Sequence, residues 1–274
     1  MQKKEYQSLL GKNNNNLYQV KVTGRQIEIT YCDYRNTKQK IQKISNKEYI
    51  NLIDGTINKF EKKDSRIDNI DSVKKTIKNL RDIINSNCEK SENILFVTLT
   101  YKENMTDRKR LMRDFEIFHK RWKRYHLKNY GYSPKYICVP EPQGRGAWHC
   151  HIIFIYPEKP HYIENKKVAE MWGNGFVNVK KCDNIDNIGA YLSSYLTNTP
   201  TKKGGRLNMY PVGMHMFRTS NDIKKPTIYY DSIENITKLL QNYDLTYWCS
   251  YVMENEKFSN RIEKRFYKKI INQN

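Results

Sequence analysis

The segment from Lys135 to Ile155 constrains this chain most. Two apolar runs, Lys135–Glu141 (KYICVPE) and Ala147–Ile155 (AWHCHIIFI), flank Pro142-Gln143-Gly144-Arg145-Gly146. Both runs are rich in β-branched and aromatic residues, and glycines at 144 and 146 suit a tight reversal, so the pattern predicts an antiparallel hairpin. In a strand, residues i and i+2 share a face. Trp148, Cys150, Ile152 and Phe154 then point into a core, and His149 and His151 point the other way. With the hairpin centred on Arg145, Glu141 stands opposite His149, their Cβ atoms about 5 Å apart. A slip of one residue would turn Glu141 away. In the centred register a carboxylate and two imidazoles converge. That mixed oxygen and nitrogen donor set suits a divalent cation and leaves positions open for water or phosphate oxygens. The plainer alternative is two unrelated histidines on an exposed strand face beside an ordinary strand-end carboxylate.

The surrounding elements can be read from periodicity. Ile94–Tyr101 (ILFVTLTY) is a buried strand. A basic helix follows, capped by Thr106 or Asp107, with Leu111, Phe115, Phe118, Trp122 and Tyr125 on one stripe. Its other face carries Arg108, Arg113, Lys120 and Arg124 among further cations. By itself this is a core stripe with a solvated charged face, and it contacts DNA only if it lies beside the site. Glu164–Met171 reads as a short helix, Gly175–Lys180 as a strand, and Asn184–Asn198 as a helix ending before Pro200. The order β-α-β-β-α-β plus a final helix predicts an α+β fold of the ferredoxin-like (RRM-like) kind. In it, an antiparallel sheet carries the His pair on a central strand, with a Tyr-bearing helix packed beside it.

Residues 1–90 read as an accessory region: a hairpin from Leu17–Val22 and Gln26–Cys32, a helix opened by the capping-box pattern Ser45-Asn46-Lys47-Glu48, and a second helix from about Ser72. Residues 91–200 form the central domain. Residues 201–274 form a basic extension with a Lys202–Arg206 loop, a helix over Ser232–Tyr243, a strand over Thr246–Met253 and a basic helix over Lys257–Ile271.

Composition narrows the partner. The 274 residues hold 49 Lys and Arg against 29 Asp and Glu, a formal net charge of +20 that calls for a polyanion, nucleic acid first. The six cysteines are scattered with no C-x-x-C pair, which fits free thiols in a reducing compartment and excludes zinc ribbons and fingers. No apolar run is long enough to span a bilayer, and the first residues lack a secretory signal core, so a cytoplasmic protein with no membrane partner is expected.

Tyr191 and Tyr195 are four residues apart on the last helix and share a face. A phenolate is a nucleophile of the kind that forms covalent enzyme intermediates, and a nearby divalent cation polarising a phosphodiester would assist it. In this order, ILFVTLTY at 94–101, EPQGRGAWHCHIIF at 141–154 and NIGAYLSSYLTN at 187–198 resemble the three motifs of HUH endonucleases, and in particular the rolling-circle replication initiators of plasmids and phages. The resemblance covers about residues 70–200. It implies a Mg²⁺ or Mn²⁺ ion held by His149, His151 and the acidic Glu141. It implies Tyr191 as nucleophile on single-stranded origin DNA, with Tyr195 as the second tyrosine of the two-Tyr subgroup. Relatives often carry Lys three residues after the first Tyr, where this chain has Ser194; Lys202 or Lys203 could substitute.

The function expected from the resemblance is metal-dependent nicking. It leaves a 5′-phosphotyrosine link and a free 3′-OH primer, and the strand is later rejoined. A bacterial host's helicase and polymerase are the expected partners. Arg108, Arg113, Lys120, Arg124, Arg145, Lys202, Lys203 and Arg206 are the expected DNA contacts. A relaxase or single-strand transposase of the same superfamily, a non-catalytic DNA-binding module and a water-using metal hydrolase are the alternatives.

Overall fold

A computed structural model of the chain describes residues 11–13, 15–35, 40–45, 47–61, 70–182, 209–211, 214–254 and 259–270. The fold is α+β, and every strand pairing among these residues is antiparallel. The chain divides into two compact units, residues 63–225, and residues 1–62 together with 226–274.

The terminal unit begins with β1 (Gly11–Lys12), β2 (Tyr18–Thr23), β3 (Gln26–Cys32) and β4 (Tyr34–Arg35), where β1 pairs with β4. The β2–β3 hairpin turns at Thr23-Gly24-Arg25, as the alternation predicts. Next come β5 (Ile41–Lys43), β6 (Glu48–Asn51) and β7 (Ile57–Lys59), a separate three-stranded sheet. The helix expected after Ser45 is not formed. The Ser45 hydroxyl does accept from the backbone N–H groups of Lys47 and Glu48, at 3.1 Å each. Here, however, the hydroxyl closes a turn between strands, a local bond that Ser offers turns as readily as helix caps.

The central unit contains α1 (Ile70–Asn87), β8 (Ile94–Tyr101), α2 (Arg108–Tyr130), β9 (Lys135–Pro142), β10 (Trp148–Ile155), α3 (Asn165–Trp172), β11 (Gly175–Lys181) and β12 (Arg218–Thr219). Its sheet has the order β11-β8-β10-β9-β12, so β10 is an inner strand between β8 and β9. The carboxylate of Asp107 caps α2 by accepting from the N–H groups of Lys109 (2.8 Å) and Arg110 (3.2 Å). Gly131, at φ +74°, ends it in the left-handed conformation that costs a Cβ-free residue nothing. The α2 stripe Leu111, Phe115, Phe118 and Trp122 is fully buried. Trp122 stacks on Phe154 of β10, ring centroids 4.5 Å apart, and Phe118 lies 6.4 Å from the same ring. Trp172 of α3 meets Tyr101 and Phe118 edge-on. Helices α2 and α3 therefore cover the sheet face that carries Trp148, Cys150, Ile152 and Phe154. Ile94, Phe96, Ile137 and Ile153, on the opposite face, are buried in one core with Val73, Leu80, Ile83 and Ile84 of α1.

The chain then returns to the terminal unit through β13 (Thr227–Asp231), α4 (Ile233–Leu239), β14 (Tyr243–Glu254) and β15 (Ser259–Lys269). These join a sheet of order β13-β2-β3-β15-β14, with Ile236 of α4 packed against Val20, Ile27 and Ile29. The basic helix expected over Lys257–Ile271 is β15 instead. Ile262 and Phe266 are four apart, a spacing that fits a helix face and a strand face alike. Pairing with both β3 and β14 decides for the strand. The helix over Asn184–Asn198 and the Lys202–Arg206 loop lie outside the described residues. No described helix is long and apolar enough to cross a membrane.

Because Phe154 is fully buried between the β10 strand and two aromatic rings of α2, Phe154→Ala should lower the unfolding free energy by about 3–5 kcal/mol. Urea denaturation would measure it, and a loss below about 1 kcal/mol would contradict this packing.

Candidate metal centre

The β9–β10 turn sets the site. The N–H of Gln143 donates to the carbonyl of Ala147 at 2.7 Å, and the N–H of Gly146 to that of Gln143 at 2.8 Å. Gly146 has φ +84°, so a residue without Cβ is needed there. The N–H of Trp148 donates to the carbonyl of Met105 at 2.8 Å, tying the start of β10 to the chain ahead of α2. The resulting register pairs Glu141 with His149, as the centred hairpin predicts.

The three side chains meet on the sheet face opposite α2 and α3. Oε2 of Glu141 lies 3.0 Å from Nε2 of His149 and 2.7 Å from Nε2 of His151. The imidazole centroids are 4.5 Å apart, and one ligand atom from each of the three residues falls within 4.8 Å of the others. Glu141 is 3% exposed and His151 8%, while His149 is open enough to meet solvent. Burial by itself would raise the Glu141 carboxyl. The hydrogen bonds and charge of His149 and His151 outweigh it and hold the group at about 2, below its ordinary 4.5. The stability gained from this depressed pKa is full above about 4.5 and is lost as pH falls through about 2. Across the neutral range the site keeps an ionised carboxylate.

Two residues given no role by the sequence reading complete the surroundings. Oγ1 of Thr98 lies 3.2 Å from Nδ1 of His151, and Nε2 of Gln143 lies 3.3 Å from Nδ1 of His149. Phe96 stacks on the His151 ring at 5.4 Å, nearly parallel. Strand parity was the signal that could have found them. Thr98 is the β8 partner of His151, and Gln143 follows Glu141 by two residues. A hydroxyl and a primary amide can each either donate or accept. Each imidazole can therefore move its proton to Nδ1 and free the Nε2 lone pair for a cation without losing its neighbour.

The donor set fits a divalent cation. Adjacent ligand atoms of an octahedral ion at about 2.1 Å are separated by about 3 Å, close to the 3.0 and 2.7 Å seen around Oε2. The cluster uses three ligands from one hairpin and leaves the remaining positions to solvent or substrate oxygens, the arrangement of a catalytic rather than a closed structural site.

The sequence-derived DNA contacts are not all near this cluster. Arg145 is exposed at the hairpin tip, and its Nε donates to Oε1 of Gln143 at 3.1 Å. Arg113, Lys120 and Arg124 are exposed on α2, on the far side of the sheet from Glu141, because the α2 stripe must pack against Phe154. Arg108 begins that helix, and its Nε is buried without a hydrogen-bond partner. Tyr191, Tyr195, Lys202, Lys203 and Arg206 lie outside the described residues.

Adding Mn²⁺ at about one hundred times its dissociation constant should stabilise the protein by about 2.7 kcal/mol, read as a raised melting temperature. His149→Ala and Glu141→Ala should lose most of that rise, and an equal rise in both variants would rule the cluster out. Gln143→Ala should weaken Mn²⁺ binding about 10–100-fold in calorimetry, the usual effect of removing a group that orients a ligand.

Residues 94–200, from β8 through the hairpin and beyond β11, match the family model of the replication-associated protein ORF2. No curated protein and no solved structure matches the chain. The matched segment contains the whole Glu141–His149–His151 cluster, and it supports a Rep-type replication protein with DNA as its partner.

Proposed function

We propose that this chain is a rolling-circle replication initiator that nicks single-stranded origin DNA in a metal-dependent transesterification and later rejoins the strand. One observation carries the reading: a buried, ionised carboxylate shared by two imidazoles, inside the segment that matches a replication family. The order β8-α2-β9-β10-α3-β11 supports reading residues 91–200 as a ferredoxin-like nicking domain, with the helix of Tyr191 beside the sheet.

In this reading His149, His151 and Glu141 hold Mg²⁺ or Mn²⁺, which when bound supplies Lewis-acid polarisation of the scissile phosphate. Tyr191 Oη attacks phosphorus as its proton leaves. The P–O3′ bond breaks, and the departing 3′ oxygen takes up a proton to become the primer hydroxyl. The 5′ phosphate stays on Tyr191, which conserves the phosphodiester energy. Tyr195 carries out a second transfer that closes or recycles the strand. Thr98 and Gln143 keep the imidazoles oriented throughout. Arg145, next to Gln143, grips substrate phosphate at the hairpin tip. The cations of α2 act through the long-range field of the protein rather than at the scissile bond. Lys202, Lys203 and Arg206 add backbone contacts to the strand.

With Mn²⁺ and an end-labelled origin oligonucleotide, wild-type protein should yield a covalent adduct. Tyr191→Phe should abolish the first adduct, and Tyr195→Phe should keep it but lose strand transfer. His149→Ala should abolish nicking and leave salt-sensitive DNA binding largely intact. Full activity in the Tyr191→Phe/Tyr195→Phe double variant would remove both tyrosines from the mechanism. Products with a free 5′ phosphate would make the protein a hydrolase.

A further inference from the structure

The C-terminal β14–β15 ribbon of the terminal unit shows a surface that the nicking chemistry does not use. Cross-strand pairing places Tyr247 opposite Phe266, Cys249 opposite Lys264 and Tyr251 opposite Ile262, so these residues share one face. That face lies opposite the one packed against α4, which carries Ile27 and Ile29 of β3. Tyr247 is 58% exposed and Tyr251 41%. The Tyr247 and Phe266 rings lie 5.7 Å apart, and Nζ of Lys264 stands 6.0 Å from the centre of the Tyr251 ring. Lys268, exposed, continues the same side of β15. β14 is the edge of its sheet, so this surface is open along one side.

An uncharged protein partner would explain exposed aromatic rings but not lysines set between them. A duplex would engage the lysines and leave the rings idle, since its bases are already stacked on each other. A single strand uses both, because it presents base faces to rings and phosphates to ammonium groups. Tyr247 and Tyr251 are about 13 Å apart along β14, far enough to receive separate bases. The acidic groups on this face are largely matched: Asp244 stands opposite Lys268, and Glu28 pairs with Lys21. With the chain at +20 overall, charge favours a polyanion here as well.

We infer that the β14–β15 face is a second binding site for single-stranded DNA, separate from the metal centre, in which bases stack on Tyr247, Tyr251 and Phe266 and Lys264 and Lys268 hold the backbone. The inference rests on the reading that single-stranded DNA is this protein's substrate. Its function is to hold the strand, with no part in bond breaking.

The test is fluorescence anisotropy of the full chain with a labelled oligo-dT, in EDTA so that nicking chemistry is silent. Tyr247→Ala/Tyr251→Ala should weaken binding at least about tenfold. Tyr247→Phe/Tyr251→Phe should bind within about twofold of wild type, since phenyl rings still stack. Lys264→Gln should lower the slope of log affinity against log salt by about 0.7. Unchanged affinity in the alanine pair would overturn the proposal, as would equal losses in the alanine and phenylalanine pairs. So would a wild-type dimer that the alanine pair converts to monomer without loss of DNA affinity, which would make the face a contact between copies. The two readings fail separately. Wild type that binds oligo-dT but never forms an adduct defeats the nicking chemistry alone. Wild type that nicks, with an alanine pair that binds normally, defeats this site alone.

Discussion

Everything chemical in the central unit depends on the backbone register of one hairpin. Glu141 opposes His149 because the turn at Gln143–Gly146 closes with two short hydrogen bonds and a left-handed glycine. The core then makes that register hard to leave. Trp148, Cys150, Ile152 and Phe154 occupy the alternate positions of β10 and are all buried. A one-residue slip would push those four side chains out and pull both histidines in. The apolar face of the strand thus fixes the polar face, although no apolar residue takes part in the chemistry.

That polar face is unusual for an inner strand. A carboxylate 3% exposed is costly unless its hydrogen-bonding capacity is met, and here one oxygen accepts from two imidazoles at once. Those imidazoles in turn meet a hydroxyl and an amide at their far nitrogens. Each layer is satisfied in the arrangement described, and each can reverse its donor and acceptor roles when a cation takes the Nε2 lone pairs. Little reorganisation is then needed on binding, which is what preorganisation of a metal site requires. The Phe96 ring against His151 keeps that side of the cluster dry and strengthens its electrostatics.

How much of this was legible in the sequence varied with the physics behind each signal. The hairpin and the cluster were legible because period-two alternation and turn chemistry are local, and both point to one register. The α2 boundaries were legible for the same reason, with Asp107 capping the start and Gly131 in the left-handed conformation at the end. Two helices were misread. Ser45 makes the cap-like bonds expected of it, but those bonds serve a turn as well as a helix. Residues 259–269 carry apolar groups at a spacing common to both structures, and only pairing with β3, more than two hundred residues earlier, makes them a strand. Thr98 was missed because its role comes from a cross-strand partner, not from its own neighbours in sequence. The exposed cations of α2 were legible as a charged face. Their separation from the cluster depends on which sheet face the helix covers, and that is a tertiary fact.

This separation changes what the charge of +20 can mean. Charge on a helix across the sheet from the cluster raises the local concentration of a polyanion and speeds encounter, but it cannot orient a particular phosphate. Orientation needs short contacts, and the exposed cation closest in sequence and bonding to the cluster is Arg145, linked to His149 through Gln143. Encounter and positioning are therefore carried by different residues. Salt should screen the first strongly, since exposed charges beyond a Debye length of about 8 Å scarcely interact at physiological ionic strength. It should affect the second far less, because the cluster's hydrogen bonds are short and largely buried. A protein built this way can lose affinity with rising salt while the geometry that would act on a bound phosphate stays unchanged.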